Sequence, residues 1–136
     1  MLTRRRGKQL RTFRIGAPAR RDDGLRIAVT RRPPRGVPKT EWSQLFDVWL
    51  PLVAPSAVLV KGALSRGLED DKVRQKFFAA YERELTKPDV NHAIDLLAAM
   101  AARTAMAIGC FCEDESRCHR SVLKRVIEAR MTSLSS

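Results

Sequence analysis

Ala105-Met106-Ala107-Ile108-Gly109-Cys110-Phe111-Cys112-Glu113-Asp114-Glu115-Ser116-Arg117-Cys118-His119-Arg120-Ser121 is the stretch that decides how this chain reads. Its apolar start predicts a strand, and the amphipathic run Val122–Met131 that follows predicts a helix. Between them lies a short polar loop. All three cysteines of the chain, one of its two histidines and three acidic side chains fall between Cys110 and His119. Strand, tight loop and helix in that order put the cluster at the C-terminal end of a strand, the edge where open α/β sheets bind ligands.

Outward from this stretch the periodicities alternate in kind. Arg11–Ile15 and Leu25–Thr30 alternate polar and apolar residues, as half-buried strands do, and Phe46–Leu50 has strand composition up to Pro51. Arg31-Arg32-Pro33-Pro34-Arg35-Gly36-Val37-Pro38 excludes regular structure, because proline removes a donor and restricts its predecessor. Helices are predicted over Ala57–Leu64, capped by Ser56 and followed by Gly67, and over Asp70–Leu85. The second of these sets Val73, Phe77, Phe78, Tyr81 and Leu85 on one face. A third is predicted over Val90–Arg103, capped by Asp89 after a break at Pro88. Thr104–Cys112 is the last strand, and Cys118–Met131 the last helix.

These elements predict an α/β fold: a small single-domain sheet with helices packed on it, and the Cys-rich loop between the last strand and the last helix. The segment Asp89–Arg130 reads as a helix-strand-helix unit that covers both faces of a sheet. Local pattern leaves the strand order open. The expected division is a basic disordered arm over residues 1–9, one domain over 10–131 and a disordered tail over 132–136. Trp42 and Trp49 read as core anchors, His92 as a surface residue, and Asp47 as either a buried carboxylate or a solvent-facing one.

Charge is unevenly distributed. Residues 1–40 hold 13 Lys+Arg against 2 Asp+Glu, whereas residues 41–136 hold 13 against 13, so the whole excess of +11 lies in the first 40. Arginine dominates that block, and its planar fork suits phosphate and carboxylate. A nucleic-acid-binding role through Arg4, Arg5, Arg6, Lys8 and Arg11 is therefore the alternative reading of the arm. Three crowded cysteines do not make the spread disulfide framework of a secreted mini-protein, and a reducing cytoplasm is the expected compartment. No apolar run approaches the roughly 18 residues of a membrane span, the longest, Ala93–Ala102, being broken by Asp95.

Within the cluster, Cys118 opens the last helix beside Arg117 and Arg120, so the helix dipole and both arginines are expected to lower its pKa. That makes Cys118 the candidate nucleophile, His119 its acid/base partner and Cys112 a resolving thiol. Cys110, at a buried strand position, reads as packing. Glu113, Asp114 and Glu115 oppose this by raising the thiol pKa and repelling anions. If the strand Leu25–Thr30 runs parallel to Thr104–Cys112, Arg31, Arg32 and Arg35 reach the same edge and join Arg120 and Ser121 in an anion pocket. The expected ligand is a small phosphate, sulfate or carboxylate. Cys110, Cys112, Cys118 and His119 also offer a zinc ligand set, against which stands the divergence of about 100° between adjacent helical residues. No cofactor is expected otherwise, and no Gly-rich phosphate loop, G-x-S-x-G or H-E-x-x-H occurs.

Three segments, Leu25–Gly36, Phe46–Ser56 and Cys110–Leu123, occur in an order that resembles the domain-of-unknown-function 488 family, YeaO-like, over about Leu10 to Met131. The resemblance implies a compact bacterial cytoplasmic α/β domain and assigns no activity. Members with the Cys-rich ending carry equivalents of Cys112, Cys118, His119 and Arg120, while related branches keep the equivalent of Pro34-Arg35-Gly36 without the cysteines. The functional expectation is an anion-binding pocket with thiol-dependent catalysis at the Cys-His-Arg motif. A nucleic-acid-binding accessory protein is the alternative, and a Cys3His metal-binding protein the third reading.

Overall fold

A computed structural model of the chain describes residues 10–112 and 114–134. Among these residues four strands form one sheet: β1 (Leu10–Arg14), β2 (Leu25–Ala28), β3 (Val48–Trp49) and β4 (Met106–Cys110), in the order β1-β4-β2-β3. Every pairing is parallel. β4 is central, bonded to β1 from Leu10↔Met106 to Arg14↔Cys110 and to β2 from Leu25↔Met106 to Ala28↔Gly109. Flanked on both sides, it is buried at all five positions, which explains why it reads as a continuous apolar run rather than an alternating one.

The helices are α1 (Ala57–Arg66), α2 (Asp71–Glu84), α3 (Pro88–Ala101) and α4 (His119–Leu134). Ser56 caps α1 by accepting the Leu59 N–H, and Asp70 caps α2 by accepting those of Lys72 and Val73. Each cap is worth about 1 kcal/mol. α3 differs from expectation: Pro88 starts it rather than breaking the chain before it, and Asp89 is not its cap. Proline at the first helical position fits because its missing N–H has no helical partner there. α4 starts one residue late and runs to Leu134, three residues into the segment expected to be a disordered tail.

The two faces of the sheet are covered differently. Leu10, Ile27, Val29, Met106 and Ile108 share a core with Tyr81 and Leu85 from the α2 region, with Ile94 and Leu97 of α3 and with Leu123 and Ile127 of α4. On the opposite face Phe13, Ile15, Ala28 and Ala107 pack on Phe46, Trp42 and Trp49. The helix-strand-helix unit therefore does not straddle the sheet, because the apolar stripes of α3 and α4 meet each other as well as the same face. Trp42 comes from a 3-10 turn (Lys39–Gln44) that the proline-rich sequence hid, and it stacks edge-on against Trp49. Only Val48–Trp49 of the expected third strand pairs. Asp47 is exposed and accepts the Arg26 N–H, and His92 is exposed as expected.

Gly109 has a specific reason to be glycine. A Cβ there would lie 2.3 Å from Cζ of Phe13, its register partner on β1. The Phe13 ring thus fills the space over Gly109, and the Arg26 guanidinium lies 4.1 Å from its centroid on the same face.

Candidate functional site

The site forms where β4 ends. Cys110 is the last residue of the central strand, Cys112 lies two positions on, Cys118 immediately precedes α4 and His119 opens it. A 3-10 turn (Glu115–Arg117) brings the chain back over the strand end. Asp114 holds this turn by accepting the Ser116 N–H, and the Thr12 hydroxyl donates to Glu115 Oε1 at 2.6 Å. The Arg120 guanidinium donates to the Cys112 carbonyl at 2.8 Å, tying the loop to the helix behind it.

The three sulfur atoms lie within 4.8 Å of one another. Cys110 Sγ is 3.9 Å from Cys112 Sγ, and His119 Nδ1 is 3.8 Å from Cys118 Sγ and 4.0 Å from Cys110 Sγ. Cys118 escapes the helical divergence expected of it, because its backbone is extended (φ −108°, ψ 145°) and only His119 is helical. Its carbonyl accepts the Ser121 N–H and hydroxyl, as a flanking residue's does.

His119 is buried and fixed on both sides of its ring. Nε2 lies 2.7 Å from the Val29 carbonyl oxygen, and the Tyr81 ring meets the imidazole edge-on at 5.5 Å. A carbonyl can only accept, so Nε2 carries the proton and Nδ1 presents its lone pair to the sulfurs. Burial pushes the imidazole pKa down, which keeps the ring neutral and basic at Nδ1. Tyr81 in turn donates its hydroxyl to Val53 O at 2.6 Å, and burial raises its own pKa well above the phenol range.

The three thiols shift one another's ionisation in opposite directions. Cys110 has its pKa pulled down, first by the Cys112 sulfur at 3.9 Å and then by that of Cys118, which lies within 4.8 Å. Cys112 is pushed up, first by the contact it shares with the Cys110 sulfur at 3.9 Å. Cys118 is pushed up by the neighbouring Cys110 and Cys112 sulfurs, both within 4.8 Å, and by burial. The expected lowering at Cys118 thus gives way to a raised value, and the lowered thiol is Cys110, read from sequence as packing. Loss of solvation favours the neutral thiol here, since Cys118 is 1% exposed.

A cavity of about 900 Å³ opens onto this cluster. Cys110, Cys112, Cys118 and His119 line one end, and Arg31, Arg32, Arg35, Lys61 and Arg117 are its basic lining residues. No carboxylate is among its described lining residues, because Asp114 turns to Ser116 and Glu115 to Thr12. Val58 and Leu64 of α1 with Phe77 of α2 supply an apolar wall. Arg31 reaches the cavity but spends its Nε and one terminal nitrogen on the carbonyls of Pro55 and Ala54. Arg120 and Ser121, expected as ligand contacts, do not line it and bond instead to Cys112 O and Cys118 O. Lys61 was not legible in advance, as nothing in an amphipathic helix marks which lysine faces a cavity.

Of the residues expected for nucleic-acid binding, Arg4, Arg5, Arg6 and Lys8 lie outside the described residues. Arg11 is half-buried on β1 and paired with Asp22 at 2.8 Å and Asp23 at 3.7 Å. No helix among the described residues is long and apolar enough to cross a membrane.

A protein-family model described as the active DUF488-N3 subclade matches residues 10–131. No curated protein and no solved structure matches the chain at a significant level.

Proposed function

Since the chain belongs to the DUF488 family, in the subclade described as active, we propose that it binds a small organic anion at the C-terminal end of its sheet and acts on it through a thiolate. The observation that carries this reading is the shared cavity: five basic side chains, no described carboxylate, and all three sulfurs at one end. Arg32 and Arg35, both exposed, attract and hold the anionic group. The apolar wall takes the rest of the ligand, favouring a phosphate or sulfate ester or a carboxylate over a bare inorganic ion.

Cys110 is the sulfur best placed to carry negative charge, and His119 Nδ1 is the nearby base that accepts or returns a proton. Cys112, the most exposed of the three, is the second thiol at the cavity, and buried Cys118 lies 3.8 Å from His119 Nδ1. Tyr81 and Val29 hold the imidazole so that only Nδ1 faces the sulfurs.

Alkylation of the reduced, chelator-treated chain across pH tests the reading, with and without phosphate, sulfate or phenyl phosphate. Fast modification at neutral pH that the anions slow supports it. Modification no faster than that of a free thiol, or unaffected by any of the anions, overturns it.

A further inference from the structure

We propose that Cys110, Cys112, Cys118 and His119 Nδ1 form a tetrahedral site for one soft cation, with zinc as the best-fitting ion. Zinc binds thiolate sulfur at about 2.3 Å and imidazole nitrogen at about 2.0 Å, so a regular tetrahedron spaces sulfurs about 3.8 Å apart and sulfur from nitrogen about 3.5 Å. The chain presents 3.9 Å between Cys110 and Cys112 sulfurs, and 3.8 and 4.0 Å from His119 Nδ1 to Cys118 and Cys110. All three sulfurs lie within 4.8 Å of one another, so shifts of a few tenths of an ångström to about one ångström close the set.

The imidazole is prepared for this role. Metal-binding histidines commonly donate their second ring N–H to a carbonyl or carboxylate, which fixes the tautomer and the ring plane. Here Nε2 donates to Val29 O at 2.7 Å while Tyr81 meets the ring edge-on. Two of the ligands, Cys110 and His119, sit on the end of the central strand and the first position of α4, which favours a preformed geometry. A trio of thiolates selects zinc or cuprous copper over hard cations such as magnesium. Entry is from the cavity, which all four ligand residues line.

This goes beyond the thiol chemistry proposed above. A cation held by all three sulfurs withdraws them from reaction, so the metal-loaded and thiol-reactive forms are exclusive states of one side-chain set. Three thiols must ionise for full ligation, so uptake releases protons and tightens as pH rises.

Reduced, chelator-stripped full-length chain is titrated with Zn2+ and separately with Co2+. The expected result is saturation at one equivalent, a thiolate-to-cobalt charge-transfer band in the near ultraviolet, and the intense visible bands of a tetrahedral ion. One equivalent of Zn2+ protects all three cysteines of the unmutated chain from alkylation, counted by intact mass. His119→Gln keeps the charge-transfer band, shifts the visible bands and weakens binding about tenfold or more. Absence of equimolar uptake, an octahedral cobalt spectrum, or three thiols left open by Zn2+ overturns the site. Uptake without fast alkylation of the stripped chain upholds the metal site and overturns the thiol reading, and fast alkylation without uptake does the reverse.

Discussion

His119 Nε2 lies 2.7 Å from the carbonyl oxygen of Val29, ninety positions earlier in the chain, and this one bond sets the chemistry of the cluster. Val29 follows β2, and its N–H is bonded to Gly109 O of β4 at 2.9 Å. The same sheet edge that ends in Cys110 therefore also fixes which imidazole nitrogen faces the thiols.

The imidazole makes stability depend on pH in a definite direction. Its folded pKa lies below the unfolded value of about 6.5, so the unfolded chain binds the proton more readily. The contribution is intact above about 6.5 and is lost as pH falls from there through the folded pKa. Urea midpoints measured from neutral to mildly acid pH should decline more steeply for the unmutated chain than for His119→Gln. Equal slopes would mean that the ring is solvated.

Thiol reactivity should be assigned to Cys110 by substitution. In chelator-treated protein the alkylation rate should stay nearly flat through neutral pH, instead of rising about tenfold per pH unit as it does below a free thiol's pKa near 8.5. Cys110→Ser should restore the ordinary rise in the remaining thiols, because the thiol with the lowered pKa is gone. Cys118→Ala should raise the pH at which the plateau begins by removing the neighbouring sulfur, without abolishing the plateau. A flat profile that survives Cys110→Ser would move the thiolate elsewhere.

Arg35→Ala should weaken anion protection of the thiols severalfold while changing stability by no more than about 0.5 kcal/mol, since the side chain is exposed. Arg31→Ala should behave differently. It removes the bonds to Ala54 O and Pro55 O that hold the entry to α1, so it should lower the urea midpoint as well as protection. Comparing the two by denaturation and by protection separates a ligand contact from a structural one.

Gly109→Ala should destabilise by about 1–3 kcal/mol, the usual cost of overpacking a filled interior, as its Cβ would intrude on the Phe13 ring at 2.3 Å. Adding Phe13→Leu should recover part of that loss, because the smaller side chain vacates the space. A double-mutant cycle in urea shows it, and strict additivity would mean that the two residues do not share the space.

Local periodicity and punctuation determined much of this molecule. Ser56 and Asp70 announce helix starts that the structure keeps, and the apolar run before Cys110 is a strand because nothing else accommodates it beside a polar loop. The concentration of three cysteines and His119 into ten positions was sufficient to locate the candidate site. Such features are legible because each rests on neighbours within a few residues.

Other features needed the assembled sheet. The order β1-β4-β2-β3 and the placement of α3 with α4 on one face arise from contacts between residues far apart in sequence. Cys110 reads as packing from its strand position, and only the assembled site shows its sulfur 3.9 Å from that of Cys112 and 4.0 Å from His119 Nδ1. Arg31 looks like a free clamp until the carbonyls of Ala54 and Pro55 occupy it. Sequence supplies which groups are present and which elements carry them. Their solvation and partners, and hence their pKa values and roles, exist only once distant segments exclude water from around them.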